Sequence, residues 1–258
     1  MAVYKKKDRT ARKIQKDHAS IKAESTTKEV FEGLDSGANK AEEWVLKNQK
    51  IILSIMGVIV IGVIAFLAYN RFVKEPAEKN AANELAFPKA YFTKAMNQTV
   101  AKDSLFNLAL NGADGKDGLI GIADRLGSTD AGNLAKYYAG ISYMNLADYK
   151  KAVEYLDDFS SNDPISNSIA KGAIGDAFAN LGAEYYEDAL KYYEQAFQMS
   201  ENSFSAPIFL NKAAIVATNL GEFDKAEKYY SKIKTEYPKS DQATDIDGKI
   251  YLSKYSVK

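Results

Sequence analysis

The chain has 258 residues, with 34 basic and 34 acidic side chains, a single histidine and no cysteine. The missing thiols exclude a disulfide framework, thiolate zinc or iron–sulfur ligation and a cysteine nucleophile. With His18 the one imidazole, triads and metal sites built on histidine are closed to everything after the first residues. The balanced charge hides an asymmetry: residues 1–50 carry 12 Lys/Arg against 8 Asp/Glu, which leaves the remainder acidic by four, a division that does not suit a nucleic-acid-binding domain.

The tail, residues 1–50, opens with Lys5-Lys6-Lys7-Asp8-Arg9, then Arg12-Lys13 and Lys16, with too few apolar residues to offset the entropy of ordering, so it is expected to be disordered. Such a run suits contact with anionic lipid headgroups or ribosomal RNA, and a solvated tail that only sets topology is the simpler use of it. Thr27 ahead of Lys28–Leu34 signals a short capped helix, and Lys40–Lys50 a helical lead-in with Trp44 near an interface. The run Ile51–Asn70 is free of charge over 20 residues, which at about 1.5 Å per residue matches a hydrocarbon core of about 30 Å. A transmembrane helix is therefore expected over 51–73. Fifty preceding residues and a span of this length point to a retained anchor rather than a cleaved signal peptide. Close to the span the basic residues nearly balance, Lys40, Lys47 and Lys50 before it and Arg71, Lys74, Lys79 and Lys89 after it. Counted over the whole tail, the positive charge favours a cytoplasmic N-terminus and a translocated domain. Ser54, Gly57, Gly62, Ala65 and Ala68 lack the GxxxG spacing of tight helix dimers in lipid.

Beyond the span, Glu75–Asn97, interrupted by Pro88, and Asp117–Leu126 are expected to form a linker helix and a degenerate leading helix pair over 74–132. Self-similarity then takes over. Asn145-Leu146-Ala147-Asp148-Tyr149-Lys150-Lys151-Ala152, Asn180-Leu181-Gly182 through Tyr186-Glu187-Asp188-Ala189, and Asn219-Leu220-Gly221-Glu222-Phe223-Asp224-Lys225-Ala226 are copies of one inter-helix turn, whose closing alanines recur at intervals of 37. Before the first turn Tyr137, Gly140, Ile141 and Met144 keep helical spacing, and after it Ala152, Tyr155, Leu156 and Phe159 do. Pro164 and Pro238 follow at points where a helix must stop.

These residues resemble the tetratricopeptide repeat. Gly140 and Gly175 match the family's small residue in the first helix, Tyr143 and Phe178 the aromatic after it, and Ala152, Ala189 and Ala226 the small residue at the helix crossing. Ala214 and Ala217 replace the glycine and aromatic of the third copy, and the middle copy has two extra turn residues and no closing proline. The resemblance implies an all-α protein: a single N-terminal transmembrane helix, three repeats over 133–238 in an α-solenoid, and a capping helix within 239–258. It also implies a concave partner-binding face on the first helices, here Tyr137, Ile141, Met144 and Asn145, then Asp176 and Asn180, then Asn211, Ile215 and Asn219. The register of Asn145, Asn180 and Asn219 suggests either an asparagine ladder for peptide backbone or simple helix termination, the latter favoured. The family's carboxylate clamp is not expected, because Tyr137 and Ile141 stand where it would lie.

Other chemistry is weakly signalled. The loop Asn111–Gly118 lacks the first carboxylate and the bidentate Glu of a calcium loop, and a glycine-rich connection with Asp117 capping the next helix is expected. Asp157-Asp158 point about 100° apart on a helix, as a solvated face does. With no phosphate loop, nucleotide fingerprint or serine elbow in the chain, no enzyme, cofactor, metal or small-molecule substrate is expected. The whole plan resembles the ancillary tetratricopeptide subunits of the bacterial Sec translocon. That resemblance implies a single-pass inner-membrane scaffold with a cytoplasmic N-terminus and a periplasmic array, whose partners are the Sec channel, a membrane-anchored periplasmic chaperone and the bilayer. An envelope-assembly or secretion-machine scaffold, and a cytosol-facing receptor, are the alternatives.

Overall fold

The computed structural model describes residues 42–255; the basic run, His18 and the short helix after Thr27 lie outside the described residues. The chain forms two compact units, Met1–Asn70 and Arg71–Lys258.

In the first unit, α1 (residues 42–69) is helical throughout. Helical residues extend over Glu42–Asn97, and their most apolar 18-residue window has a mean hydropathy of 3.0 with none of it buried by protein. This is the one helix among the described residues long and apolar enough to cross a membrane. Within the apolar run Ser54 Oγ donates to the Lys50 carbonyl at 2.8 Å, and just ahead of it Asn48 Nδ2 donates to that of Trp44 at 2.8 Å. Internal satisfaction of this kind is what a hydrocarbon surrounding demands.

A π-helical turn at Asn70–Lys74 leads into α2 (Glu75–Asn97). Pro88 does not interrupt α2. It lies fully buried inside the helix, where apolar packing outweighs the loss of one backbone hydrogen bond. The sequence reading missed α3 (Lys102–Asn111), which puts Leu105, Phe106, Ala109 and Leu110 into the core. The connection after it is a β-hairpin, β1 (Gly112–Ala113) against β2 (Lys116–Asp117). Its two turn residues, Asp114 and Gly115, both have positive φ, 52° and 73°, the requirement of the tight turn that Asp-Gly favours. Asp117 therefore does not cap α4 (Leu119–Leu126); Gly118 holds that position and offers no side chain. Held in the hairpin, the Asp117 carboxylate instead accepts from Arg125 Nη2 at 2.6 Å, and the same Nη2 donates to the Glu84 carboxylate of α2. Glu78 of α2 in turn accepts the Asp130 backbone N–H at 2.9 Å, so α2 is bonded into the leading module rather than serving only as a linker.

Three helix pairs follow: α5 (Asp130–Asn145) with α6 (Tyr149–Asp157), α7 (Pro164–Leu181) with α8 (Tyr186–Met199), and α9 (Ala206–Asn219) with α10 (Phe223–Glu236). A last helix, α11 (Ile246–Tyr255), packs on α10. Each pair closes on a small residue of the first helix opposite a large one of the second. A Cβ added at Gly140 would lie 2.5 Å from Leu156 Cγ, and one at Gly175 2.7 Å from the Tyr193 ring. Ala214 takes the same register in the third pair and is buried in one apolar cluster with Tyr230. Ala152, Ala189 and Ala226 are fully buried on the second helices.

The first and third turns share one hydrogen-bond pattern. Ala147 N–H donates to the Met144 carbonyl at 3.2 Å and Asp148 N–H to that of Tyr143 at 3.0 Å; Gly221 and Glu222 repeat this with Thr218 and Ala217 at 3.0 and 2.8 Å. These are the paired bonds of a left-handed helix stop, with φ of 57° at Ala147 and 76° at Gly221. In the middle turn Gly182 has φ 133°, and the two extra residues form a 3-10 turn at Ala183–Tyr185. Pro164 does not stop a helix. α6 ends at Asp157, and Pro164 opens α7 behind Asp163, whose carboxylate accepts from the Ile165 and Ser166 N–H groups at 3.2 and 3.0 Å. Proline is pre-organised for that first position. Pro238, by contrast, does follow the end of α10.

Two substitutions test this packing. Ala147→Gly removes the left-handed penalty of about 1–2 kcal/mol for a residue with a Cβ, less about 0.5–1 kcal/mol of glycine entropy, and is expected to raise the denaturation midpoint of the array. Ala189→Trp is expected to cost at least about 1–3 kcal/mol through overpacking; an unchanged melting curve would show that the α7–α8 crossing is not closed there.

Candidate partner-binding surface

The first helices of the pairs are neighbours: α7 touches α5, and Gly172 of α7 leaves room for the Phe209 ring of α9, with which any Cβ there would collide. Along their open side, residues seven apart line up on each helix, Leu134 and Ile141 on α5, Ile169 and Asp176 on α7, Ile208 and Ile215 on α9. Five of the six are apolar. All but Ile215 are half-buried, and Ile215 is 46% exposed. Between α5 and α7 the stripe deepens into a cleft of about 140 Å³ lined by Leu134, Tyr137, Phe159, Ser166 and Ile169. That volume is well below the roughly 300 Å³ where small-molecule pockets begin, and is the scale of a single side chain.

The residues expected at this surface have divided roles. Tyr137 packs its ring on Phe159 at 5.3 Å and on Tyr138 at 5.9 Å, forming one wall of the cleft. Ile141 and Met144 are half-buried against the leading core. Asn145 and Asn180 donate to the carbonyls four residues back, Ile141 and Asp176, at 2.9 and 2.8 Å. Their amide N–H groups are thus engaged within their own helices, while the positive-φ residues at the turns are Ala147 and Gly182. Asp176 is engaged between repeats: its carboxylate accepts from Lys212 Nζ at 2.6 and 2.7 Å and from the Tyr193 hydroxyl at 2.7 Å. Asn211 Oδ1 likewise accepts from Lys249 Nζ of α11 at 3.1 Å. Ile215 and Asn219 are exposed on the open side. Asp157 and Asp158, expected on a solvated face, are exposed but partnered across helices, Asp157 with Lys171 at 2.7 Å and Asp158 with Lys136 at 3.8 Å. The sequence reading missed Leu134, Ile169 and Ile208; the sevenfold spacing from Ile141, Asp176 and Ile215 is the signal that marks them.

The tyrosines pack rather than react. Tyr143 stacks on Tyr155 at 5.5 Å and Phe178 on Tyr192 at 5.4 Å, equivalent positions of the first two pairs. In the third pair Ala217 removes the aromatic, and Tyr229 turns to Phe197 at 5.7 Å and hydrogen-bonds Glu194. Burial, which disfavours phenolate, raises the pKa of Tyr137, Tyr143, Tyr192 and Tyr230 above the usual 10.0 and pushes Tyr155 up to about 12. Tyr193, facing Asp176 as well, is raised further. Among the described residues no cluster of acidic or histidine side chains has metal-binding geometry.

The fold and this surface define an α-solenoid of helix pairs with an apolar stripe along its first helices, in a chain that also carries one candidate membrane span. Two segments of the chain, residues 134–164 and 212–240, match the tetratricopeptide repeat family. They cover the first pair and most of the third, while the middle pair with its longer turn lies outside them. The family is a protein-interaction module and typically non-catalytic. No curated protein matches the chain.

The buried phenols set an alkaline limit. Their folded pKa values lie above the unfolded value of 10.0, so the stability they confer is intact below pH 10 and is lost as pH rises toward 12 and beyond. The phenolate absorbance of these buried rings is expected to appear only with loss of helicity, above pH 10; full ionisation of every tyrosine with the helix signal retained would show that the rings are not buried.

Proposed function

We propose that the protein is a membrane-anchored, non-enzymatic scaffold beside the Sec protein-translocation channel. Its N-terminus is cytoplasmic, and its array, on the far side of the bacterial inner membrane, recruits a membrane-anchored chaperone or holds emerging polypeptide. The observation that carries this reading is the apolar stripe over α5, α7 and α9 with its side-chain-sized cleft, joined in one chain to an apolar helix that no protein covers. A stripe of Leu134, Ile141, Ile169, Ile208 and Ile215 favours apolar segments of polypeptide, which are available when a chain has left the channel and not yet folded. A polar groove with a lysine clamp would instead select acidic chain ends. The Asp176–Lys212 pair is already satisfied within the protein and adds little net charge to the stripe. The basic count over the tail supports the orientation, and contact of that tail with anionic lipid or the ribosome is consistent with its charge.

Two measurements test the reading. Because the chain lacks cysteine, Ser25→Cys and Ser203→Cys report topology directly, and they are expected to label from opposite sides of the membrane, Ser203→Cys from outside. The reverse result would establish the cytosol-facing receptor. Photocrosslinkers at Ile141, Asn180 and Ile215, compared with Lys151 and Lys228 on the second helices, are expected to capture Sec channel or chaperone components. Adducts from the second helices alone would move the partner face, and adducts only with other envelope components would place the scaffold in an envelope-assembly or secretion machine.

A further inference from the structure

We propose that α11 is a self-association surface, through which two copies of the chain pair antiparallel at the ends of their arrays. The inward side of α11 is fully used. Ile246 and Ser253 are buried, Ile250 packs against the second core, and Lys249 bonds Asn211 and lies over the Tyr230 ring at 5.8 Å. The last helix of a solenoid normally turns a polar side outward to keep the end soluble. Here the outward side carries Tyr251, 61% exposed, Leu252, 67%, and Tyr255, 50%, with the two tyrosine rings 4.4 Å apart.

Charge and shape single out a second copy as the occupant. Asp245 ahead of α11 and Asp247 in its first turn are acidic, Lys249 is turned inward to Asn211, and Lys254 in the last turn is basic. Asp247 and Lys254 lie on the same flank of the apolar side, about two turns apart, with Tyr251 between them. In an antiparallel pair, flanks of the same kind meet. Asp247 of each copy then lies beside Lys254 of the other, whereas in a parallel pair this flank faces the opposite flank of the second copy and the two charges do not meet. Asp247 is partly engaged by Lys234 at 2.6 Å, and Lys254 has no ion pair among the described residues, so the second charge gains a partner by association. Antiparallel packing also aligns the helix dipoles favourably. Gly248 lies on the same outward side, where an added Cβ would meet no protein atom nearer than 3.6 Å, and it gives the Tyr255 ring of the second copy a place to lie. A helix of ten residues spans only about 15 Å, short of what a standard interface of about 1,200–2,000 Å² requires. The association is therefore weak in dilute solution and populated where tethering to a bilayer raises the effective concentration.

The cysteine-free background makes the test direct in the full-length chain in its membrane. Under mild oxidation Tyr251→Cys, next to the twofold axis, is expected to form a disulfide-linked dimer. Asp247→Cys and Lys254→Cys, each alone, should give little, and the two co-expressed should give a mixed dimer. Asp247→Lys or Lys254→Asp in the Tyr251→Cys chain is expected to lower the dimer yield about tenfold, as loss of two ion pairs and gain of repulsion imply, and the double swap to restore it. Absence of a Tyr251→Cys dimer with helicity unchanged, or equal yields at Tyr251 and at Lys228→Cys on α10, would overturn the proposal. So would disulfide adducts of Tyr251→Cys with a different protein only.

Discussion

Everything in the array rests on how closely the two helices of a pair approach. Ridges of side chains set the usual separation at about 8–10 Å, and only a residue with little or no side chain lets a large neighbour fill the crossing. Gly140 opposite Leu156 and Gly175 opposite Tyr193 are two forms of that arrangement, and Ala214 takes the same register in the third pair. Ala152, Ala189 and Ala226 complete it from the other helix with no exposed surface. Once the crossing is fixed, the turn must reverse the chain within a few residues. The left-handed residue at Ala147 and Gly221 does this while satisfying the last carbonyls of α5 and α9.

Close pairing inside a repeat leaves the junctions between repeats to other forces. The apolar core is in two parts, one over α2–α6 and one over α8–α11, and α7 stands between them with buried Ser168, Ala170, Gly172 and Gly175. Where large apolar contacts thin out, polar ones step at the period of the fold. Asp157 meets Tyr192 and Glu194 meets Tyr229 at 35 residues, Asp176 meets Lys212 at 36, Ser168 meets Ser205 at 37, and Asn211 meets Lys249 at 38. Steps this close to the 37-residue spacing of the closing alanines mean that each joins equivalent helices of successive repeats, α6 to α8, α7 to α9, α8 to α10 and α9 to α11. Directional bonds of this kind fix the register between units whose apolar faces alone would tolerate sliding.

The same bonds shape the open side of the first helices by removing charge from it. Asp176 and Lys212 neutralise each other and Asn211 is engaged by Lys249, so what remains open on the first helices is largely apolar. That composition separates this array from one that clamps acidic chain ends, and it ties the proposed role to polypeptide with exposed apolar side chains. The helix pairs are the scaffold; the specificity lies in which of their side chains the neighbouring repeat has already engaged.

The sequence by itself determined the fold class, because its evidence is local: twenty uncharged residues set one helix, and three copies of one turn with small residues at fixed offsets set the pairs. It also located α5–α10 through the 3.6-residue period, which acts within a helix. The tertiary structure decided what depends on partners distant in the chain. Pro88 continues a helix because burial outweighs one lost bond, Asp117 serves Arg125 rather than a helix end because a hairpin turns it there, and Asp176 belongs to the junction between repeats because Lys212 stands 36 residues away. The spacing of Ile141, Asp176 and Asn211 gave them one register on their helices, but a register shows only which side a residue faces. Whether it then meets a partner protein or a neighbouring repeat is set by the packing of one repeat on the next, which no period within a single helix encodes.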